Sequence, residues 1–298
     1  MSPTALRDAP AARHKPRTSA PLAATSAPSA DGLRVGERDY WTDFYLAGDR
    51  SYEWNHGRLE EKPVSDCETW LVYLWLLELV RHYLRAQPIA QVVGLEMGFR
   101  LALPSGTVIR RPDFGIVRDD NPEPLLPLDV SYHGIFDLCV EALSDKDSQS
   151  VDRDLVLKRA EYAAAGVPEY FIVHREPARQ AFFRLDDGGL YVPIAPADGL
   201  IRSSVLPGWQ FRVTDLITRP GPEAMSRDPV YWDFVLPGWR HLEREARDAA
   251  ARAEAEAARA ETEAARAESA DKRADAEAAA RAAAEQELAA LRAQLASR

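Results

Sequence analysis

Two cysteines in 298 residues, Cys67 and Cys139, are too few and too far apart for a disulfide framework or for metal-ligand spacing. Both read as thiols at apolar sites, which suits a reducing, cytoplasmic setting. No apolar run reaches the roughly 18 residues that a membrane helix requires, and no basic start leads into the continuous apolar segment of a signal peptide. The nearest candidate, Trp70 to Val80, is short and interrupted by Glu78, so a core helix is expected there. Excess positive charge is also missing. The net charge of −10 argues against a protein that coats nucleic acid by phosphate neutralisation. An acidic cluster around a divalent cation stays compatible with that balance, because the ion then mediates the contact with phosphate.

Composition divides the chain. Residues 1–35 are rich in Ala, Pro, Ser and Thr and carry five basic against two acidic side chains. They bury too little to offset the entropy of ordering, which predicts a disordered, mildly basic tail. Residues 36–220 hold the globular pattern. A short helix is expected over Asp39 to Leu46, and Asn55-His56-Gly57 predicts a β-hairpin turn, since Asn and His tolerate positive φ and Gly prefers it. A helix follows over 66–86, with Trp70, Tyr73, Leu74 and Leu77 as its apolar positions. Val92 to Leu103, Val108 to Val117 and Ile135 to Leu143 read as three strands, Val151 to Ala165 as a helix ended by Gly166, and Glu169 to His174 as a strand. A hairpin is expected about Asp186-Asp187-Gly188-Gly189. Consecutive strands flanked by helices predict an α/β (α+β) domain with a mixed central sheet.

Residues 221–242, rich in Pro and aromatics, read as an extended connector that packs Trp232, Phe234 and Trp239 against a surface that local sequence does not identify. From 243 to 298 the composition collapses to Ala, Glu and Arg, with AARAEAE, AARAETE and AARAESA as successive seven-residue units from Ala250 to Ala270. Heptads predict a helix or coiled coil whose alanine seam associates weakly except near Leu288, Leu291 and Leu295.

Three charged residues stand out against their ordinary readings, a turn aspartate for Asp113, a structural salt bridge for Glu141 and a lysine reaching solvent for Lys158. Asp113 opens a strand behind Pro112, which puts a carboxylate at the end of the sheet. Glu141 lies deep in an apolar strand, on one face with Asp137 and Cys139, opposite Leu138, Val140 and Ala142. An unpaired carboxylate there costs on the order of several kcal/mol, so it requires a cation or hydrogen-bond donors. On the helix after it, Lys158 lies in the row of Val151, Leu155, Tyr162 and Ala165, and a second apolar patch, Val156, Ala160 and Ala163, leaves the buried face open. Two carboxylates and a lysine at a sheet end form a set that can hold Mg²⁺, activate a water and stabilise charge on phosphate.

These residues and their neighbours resemble a known family. Tyr52-Glu53 with Gly57 and Glu60, Arg111-Pro112-Asp113, Val140-Glu141-Ala142-Leu143-Ser144, Lys158-Arg159-Ala160-Glu161-Tyr162, the run from Ala165 to Val173 and Ser204-Val205-Leu206-Pro207-Gly208 resemble the PD-(D/E)XK nuclease superfamily, and within it the bacterial Uma family (Uma-two type) of restriction-endonuclease-like proteins. The resemblance covers residues 38–218. It implies a restriction-endonuclease-like fold that hydrolyses DNA with Mg²⁺, or Mn²⁺ in its place. Asp113 and Glu141 would be the metal ligands, with the carbonyl after Glu141 and Glu60 completing the shell, Lys158 assisting the water and Tyr162 in support.

The superfamily's lysine two residues after the acid is Leu143 here; the resemblance implies that the following helix supplies it instead, as Lys158. Ser144-Asp145-Lys146-Asp147 stands where relatives often have Ser-Pro-Ser, and Glu68-Thr69 where a helix-start histidine is frequent. A DNA substrate and a homodimer joined through the last helix are the expected partners. The competing expectation is a catalytically inactive nuclease fold that assembles through its coiled coil.

Overall fold

The computed structural model of the protein describes residues 28–48, 50–63, 65–145 and 151–296. Most of the expected basic tail, and Lys146 and Asp147, lie outside these residues. The chain divides into two compact units, residues 1–62 and 63–298.

In the first unit, helix α1 (Glu37–Asp39) runs into a π-helical turn (Tyr40–Tyr45) and is followed by an antiparallel hairpin of β1 (Tyr52–Asn55) and β2 (Arg58–Glu61). The expected turn forms: His56 and Gly57 take φ of 47° and 88°, the left-handed pair that matches strand twist in a two-residue hairpin loop. Tyr40 donates its hydroxyl to the Tyr52 carbonyl at 2.8 Å, and the Trp54 indole donates to the Val35 carbonyl at 3.0 Å.

The second unit begins with α2 (Cys67–Ala86), then β3 (Ala90–Val93), β4 (Phe99–Leu103), β5 (Gly106–Arg110), β6 (Phe114–Arg118) and β7 (Leu138–Ala142). A π-helical turn (Arg153–Lys158) continues into α3 (Arg159–Ala165), followed by β8 (Glu169–Val173), β9 (Ala181–Leu185) and β10 (Tyr191–Pro193). A small pair, β11 (Leu200–Arg202) and β12 (Gln210–Arg212), precedes α4 (Asp215–Thr218), α5 (Pro222–Arg227) and α6 (Trp239–Ala296). The main sheet has the order β10-β9-β8-β7-β6-β3 and is mixed: β7 and β8 are parallel and the other neighbours antiparallel. A parallel pair requires a long crossover, and the segment ending in α3 supplies it. Gly166 closes that helix at φ 85°, where a side chain would be strained.

Two of the three expected strands are each two. Val92 to Leu103 breaks between β3 and β4 at Leu95 and Glu96, both at positive φ, and Val108 to Val117 breaks at Arg111-Pro112-Asp113. The pleat of β7 sorts the core as its alternation predicts. Leu138 and Val140 join a cluster with α2, while Cys139 packs with Tyr162 and Tyr170 on the other face. Cys67, by contrast, is exposed.

Helix α2 departs from expectation. Its buried row is Val72, Trp75, Leu76, Leu79, Val80 and Tyr83, and Trp70 is 50% exposed. The helix is apolar nearly all round, so periodicity alone does not select the face. The connector also differs. Its residues fold as α5 and a run of turns, and Tyr231, Phe234 and Val235 are buried against α2, with Phe234 edge-on to Tyr83.

Helix α6 spans 58 residues, about 87 Å at a 1.5 Å rise. Every side chain described from Arg244 to Ala293 is exposed. No described helix is long and apolar enough to cross a membrane. A chain ending at Gly238 gives up the surface pair of Arg227 with Glu243 and should otherwise keep the cooperative unfolding of the full chain, with a midpoint close to it. Phe234→Ala should lower stability by about 3–5 kcal/mol, the usual cost of emptying a buried phenylalanine site. Chemical denaturation of the three proteins checks both statements.

Candidate active site

Pro112 has no N–H to continue a ladder, so the backbone leaves β5 and re-enters as β6 at Asp113. The Asp113 amide donates to the Val140 carbonyl at 3.1 Å, and its carboxylate Oδ2 accepts the Ala142 N–H at 2.6 Å. The side chain thus supplies the acceptor that β7 would otherwise find in a neighbouring strand. Its position is set by the register of the sheet, not by a free rotamer. Tyr73 on α2 adds a bond to the Asp113 carbonyl at 3.3 Å.

Glu141 is 2% exposed and projects from the face of β7 that α3 covers. Lys158, 1% exposed, places Nζ 3.0 Å from Glu141 Oε1, and the Tyr162 hydroxyl donates to the same oxygen at 3.0 Å. The row of Leu155, Tyr162 and Ala165 is therefore the buried one, and Val156 is exposed. Asp113, Glu141, Lys158 and Tyr162 are brought together about the end of β7. Asp137 is not part of that group: its carboxylate accepts the Arg118 N–H and the Asn121 amide, each at 2.8 Å. Glu60 sits on β2 of the first unit and accepts from Asn55 at 2.7 Å, and its assignment as a ligand rests on the resemblance alone. Burial pushes the Cys139 thiol well up and Glu141 adds to this, so the sulfur is an apolar filler.

The N–H and C=O of one strand residue point to the same edge, so the Ala142 carbonyl faces the side on which Asp113 lies. That carbonyl accepts the Ser65 hydroxyl at 2.9 Å. The two carboxylates and this carbonyl offer hard oxygens alone, which fits Mg²⁺ rather than a thiolate- or imidazole-seeking metal.

Several participants gave no clear sequence signal. Asp154 is 4% exposed and lies 3.2 Å from Lys158 Nζ; its i, i+4 spacing was the available clue. Arg110, fully buried, forms a two-pronged pair with Glu161 at 2.6 and 2.9 Å, joining β5 to α3. Beyond β7 and β8, Asp66, Asp145 and His174 bring one ligand atom each within 4.8 Å of the others, a spacing that can hold a metal. Arg175 is already there. Its guanidinium bonds Asp66 and lies 2.6 Å from Asp145, while His174 Nδ1 accepts the Glu176 N–H at 3.0 Å. An arginine thus takes the place of the cation, and the cluster is an ion-pair knot. Asp145, the departure from Ser-Pro-Ser, is the residue that ties Arg175 and Arg179 together.

Comparison with known proteins places the chain in a family. The family model Uma2, described as putative restriction endonuclease, matches residues 40–214, more than half of the chain. The chain belongs to this family. No curated protein matches it. A solved structure from Anabaena variabilis ATCC 29413, described as a putative nuclease belonging to DUF820, aligns with a TM-score of 0.46 at 16% identity, covering 57% of this chain and 91% of that one. The family match takes in Asp113, Glu141, Lys158 and Tyr162, together with the Arg175 knot.

The knot gives this family member an acid-sensitive element. Burial raises Asp66, but the Thr69 N–H and hydroxyl and the Arg175 guanidinium outweigh it and hold the carboxyl at about 2. A depressed carboxylate contributes stability above its unfolded value and loses it as pH falls towards its folded one. Melting temperature should drop between about pH 4, near the ordinary aspartate value, and about pH 2, the folded value. In Asp66→Asn this part of the acid limb should be flatter, which a pH series of thermal melts checks.

Proposed function

We propose that the protein is an endonuclease that hydrolyses DNA phosphodiester bonds with Mg²⁺, or Mn²⁺ in its place, at the Asp113, Glu141 and Lys158 cluster. The observation that carries the reading is the 3.0 Å contact of Lys158 Nζ with Glu141, both buried, beside a strand-end aspartate bonded to the next residue. Asp113, Glu141 and the Ala142 carbonyl would hold the ion. Bound there, it lowers the pKa of a coordinated water and neutralises charge growing on the phosphate.

The chain's own groups divide the remaining work. Asp113 is kept in register by the Ala142 N–H, and Tyr162 fixes the Glu141 carboxylate. Lys158 presents a fixed ammonium beside that carboxylate, where it orients the attacking water and donates to a phosphate oxygen. DNA is the substrate the family description favours, and a cytoplasmic location goes with it.

The competing reading, an inactive fold kept for assembly, meets a physical objection. Replacing a buried ion pair by apolar side chains of similar volume is often neutral or stabilising by about 1–4 kcal/mol. A chain kept only for its fold gains no stability from holding Lys158, Glu141 and Asp154 in the interior. Plasmid cleavage should therefore require Mg²⁺ or Mn²⁺ and be lost, by at least about 100-fold, in Asp113→Asn and Glu141→Gln. Lys158→Met should retain metal binding with a slow chemical step. Cleavage that survives both carboxylate changes would end the assignment.

We further assign α6 the task of pairing two copies. Its alanine heptads allow close approach, and the half-exposed Leu288 and Leu291 supply the larger apolar contacts. Two active sites suit the two strands of a duplex, and twofold pairs are the commonest assembly. Sedimentation should show a dimer for the full chain and a monomer for a chain ending at Gly238; equal states would leave α6 a solvated single helix.

A further inference from the structure

Lys158 does not depend on Glu141 alone. Asp154, four residues earlier and 4% exposed, holds Oδ1 at 3.2 Å from Nζ, so the ammonium lies between two buried carboxylates. The turn that carries Asp154 is tied to the sheet: the Tyr170 hydroxyl on β8 donates to the Asp154 carbonyl at 3.0 Å. Burial and the nearby carboxylates push the Tyr170 phenol well up, so it stays protonated and able to donate. Arg153 Nε lies 3.7 Å from the same Asp154 oxygen. The carboxylate is thus fixed by its backbone and held close to the lysine.

A divalent cation on Glu141 changes the balance around that ammonium. The ion takes charge density from the carboxylate and repels the neighbouring positive group in a poorly screened interior. Without Asp154, Lys158 would lean more heavily on Glu141 and would either leave the site or compete with the ion for the same oxygens. We propose that Asp154 is a positioning residue that retains the Lys158 ammonium in the site and so relieves its competition with the metal for Glu141. This rests on the reading of Asp113 and Glu141 as metal ligands. Asp154 acts through Lys158 and touches neither metal nor substrate.

Mn²⁺ binding to the full chain, followed by titration calorimetry, tests the coupling without relying on cleavage. Asp154→Asn should weaken Mn²⁺ about tenfold, the lower end for a group behind a ligand. In a Lys158→Met background the same change should shift affinity by less than about twofold, within ordinary additivity, and Asp154→Glu should recover most of the wild-type affinity. Metal-free unfolding curves for each variant separate loss of fold from loss of affinity. If Asp154→Asn alone does not fold, the Lys158→Met pair and Asp154→Glu still decide.

An equal loss in both backgrounds would mean that Asp154 acts on the metal directly or through the fold, and no loss in either would mean that it does nothing there. Both results overturn the proposal. Asp113→Asn and Glu141→Gln report separately on the underlying reading. If they bind Mn²⁺ as the wild type does, the metal assignment fails and the role of Asp154 fails with it, whatever the cycle shows.

Discussion

Lys158 lies 3.0 Å from Glu141 and 3.2 Å from Asp154 with all three side chains buried, and the neighbouring structure is arranged around that contact. Removing one member of such a group leaves an uncompensated interior charge, typically a loss of about 3–5 kcal/mol. The contact therefore fixes where α3 sits on β7 more sharply than apolar packing would, because a one-residue slip would separate the charges. Tyr162 and the Arg110–Glu161 pair reinforce the same placement from one turn further along the helix. The parallel pairing of β7 with β8 requires that crossover, so the geometry of the sheet and of the charged group are set together.

A second constraint acts from the opposite edge of β7. Pro112 interrupts the chain between β5 and β6, and the Asp113 carboxylate takes up the Ala142 N–H. Placing the acid in the hydrogen-bond ladder gives it the rigidity of the sheet, which is the support a catalytic constellation needs. Gly115, next but one to the break, lies against the Phe136 ring, where any side chain would collide, so the approach of β6 to the segment before β7 is close as well. The sheet register thus holds Asp113, and Lys158 and Tyr162 hold Glu141.

Charge is handled locally throughout the second unit. Arg175 sits among Asp66, Asp145 and His174 at the far ends of β7 and β8, and Ser65, the residue before Asp66, bonds the Ala142 carbonyl. The knot and the candidate active site therefore share one end of the sheet. In a chain of net charge −10, Arg175 is thus already paired with the carboxylates of Asp66 and Asp145.

The sequence by itself determined features that depend on neighbours a few residues away. Asn55-His56-Gly57 specified the hairpin turn, Gly166 the end of α3, and the change to Ala, Glu and Arg near residue 243 the long helix. Alternation along β7 places Glu141 among apolar residues, a misfit that requires a cation or hydrogen-bond donors, and Lys158 and Tyr162 provide both. Short motifs sufficed to recognise the family. Tertiary structure decided what local spacing leaves open. It buried Val72, Trp75 and Leu76 rather than Trp70 on a helix apolar on nearly every side, and it drew Tyr231 and Phe234 into the core from a segment that reads as a linker. It also joined Asp145 to Arg175 and gave Lys158 its second carboxylate. Periodicity reports only which residues share a face, whereas the partner of that face comes from chain far away in sequence, and the low-dielectric interior then selects which charges must meet.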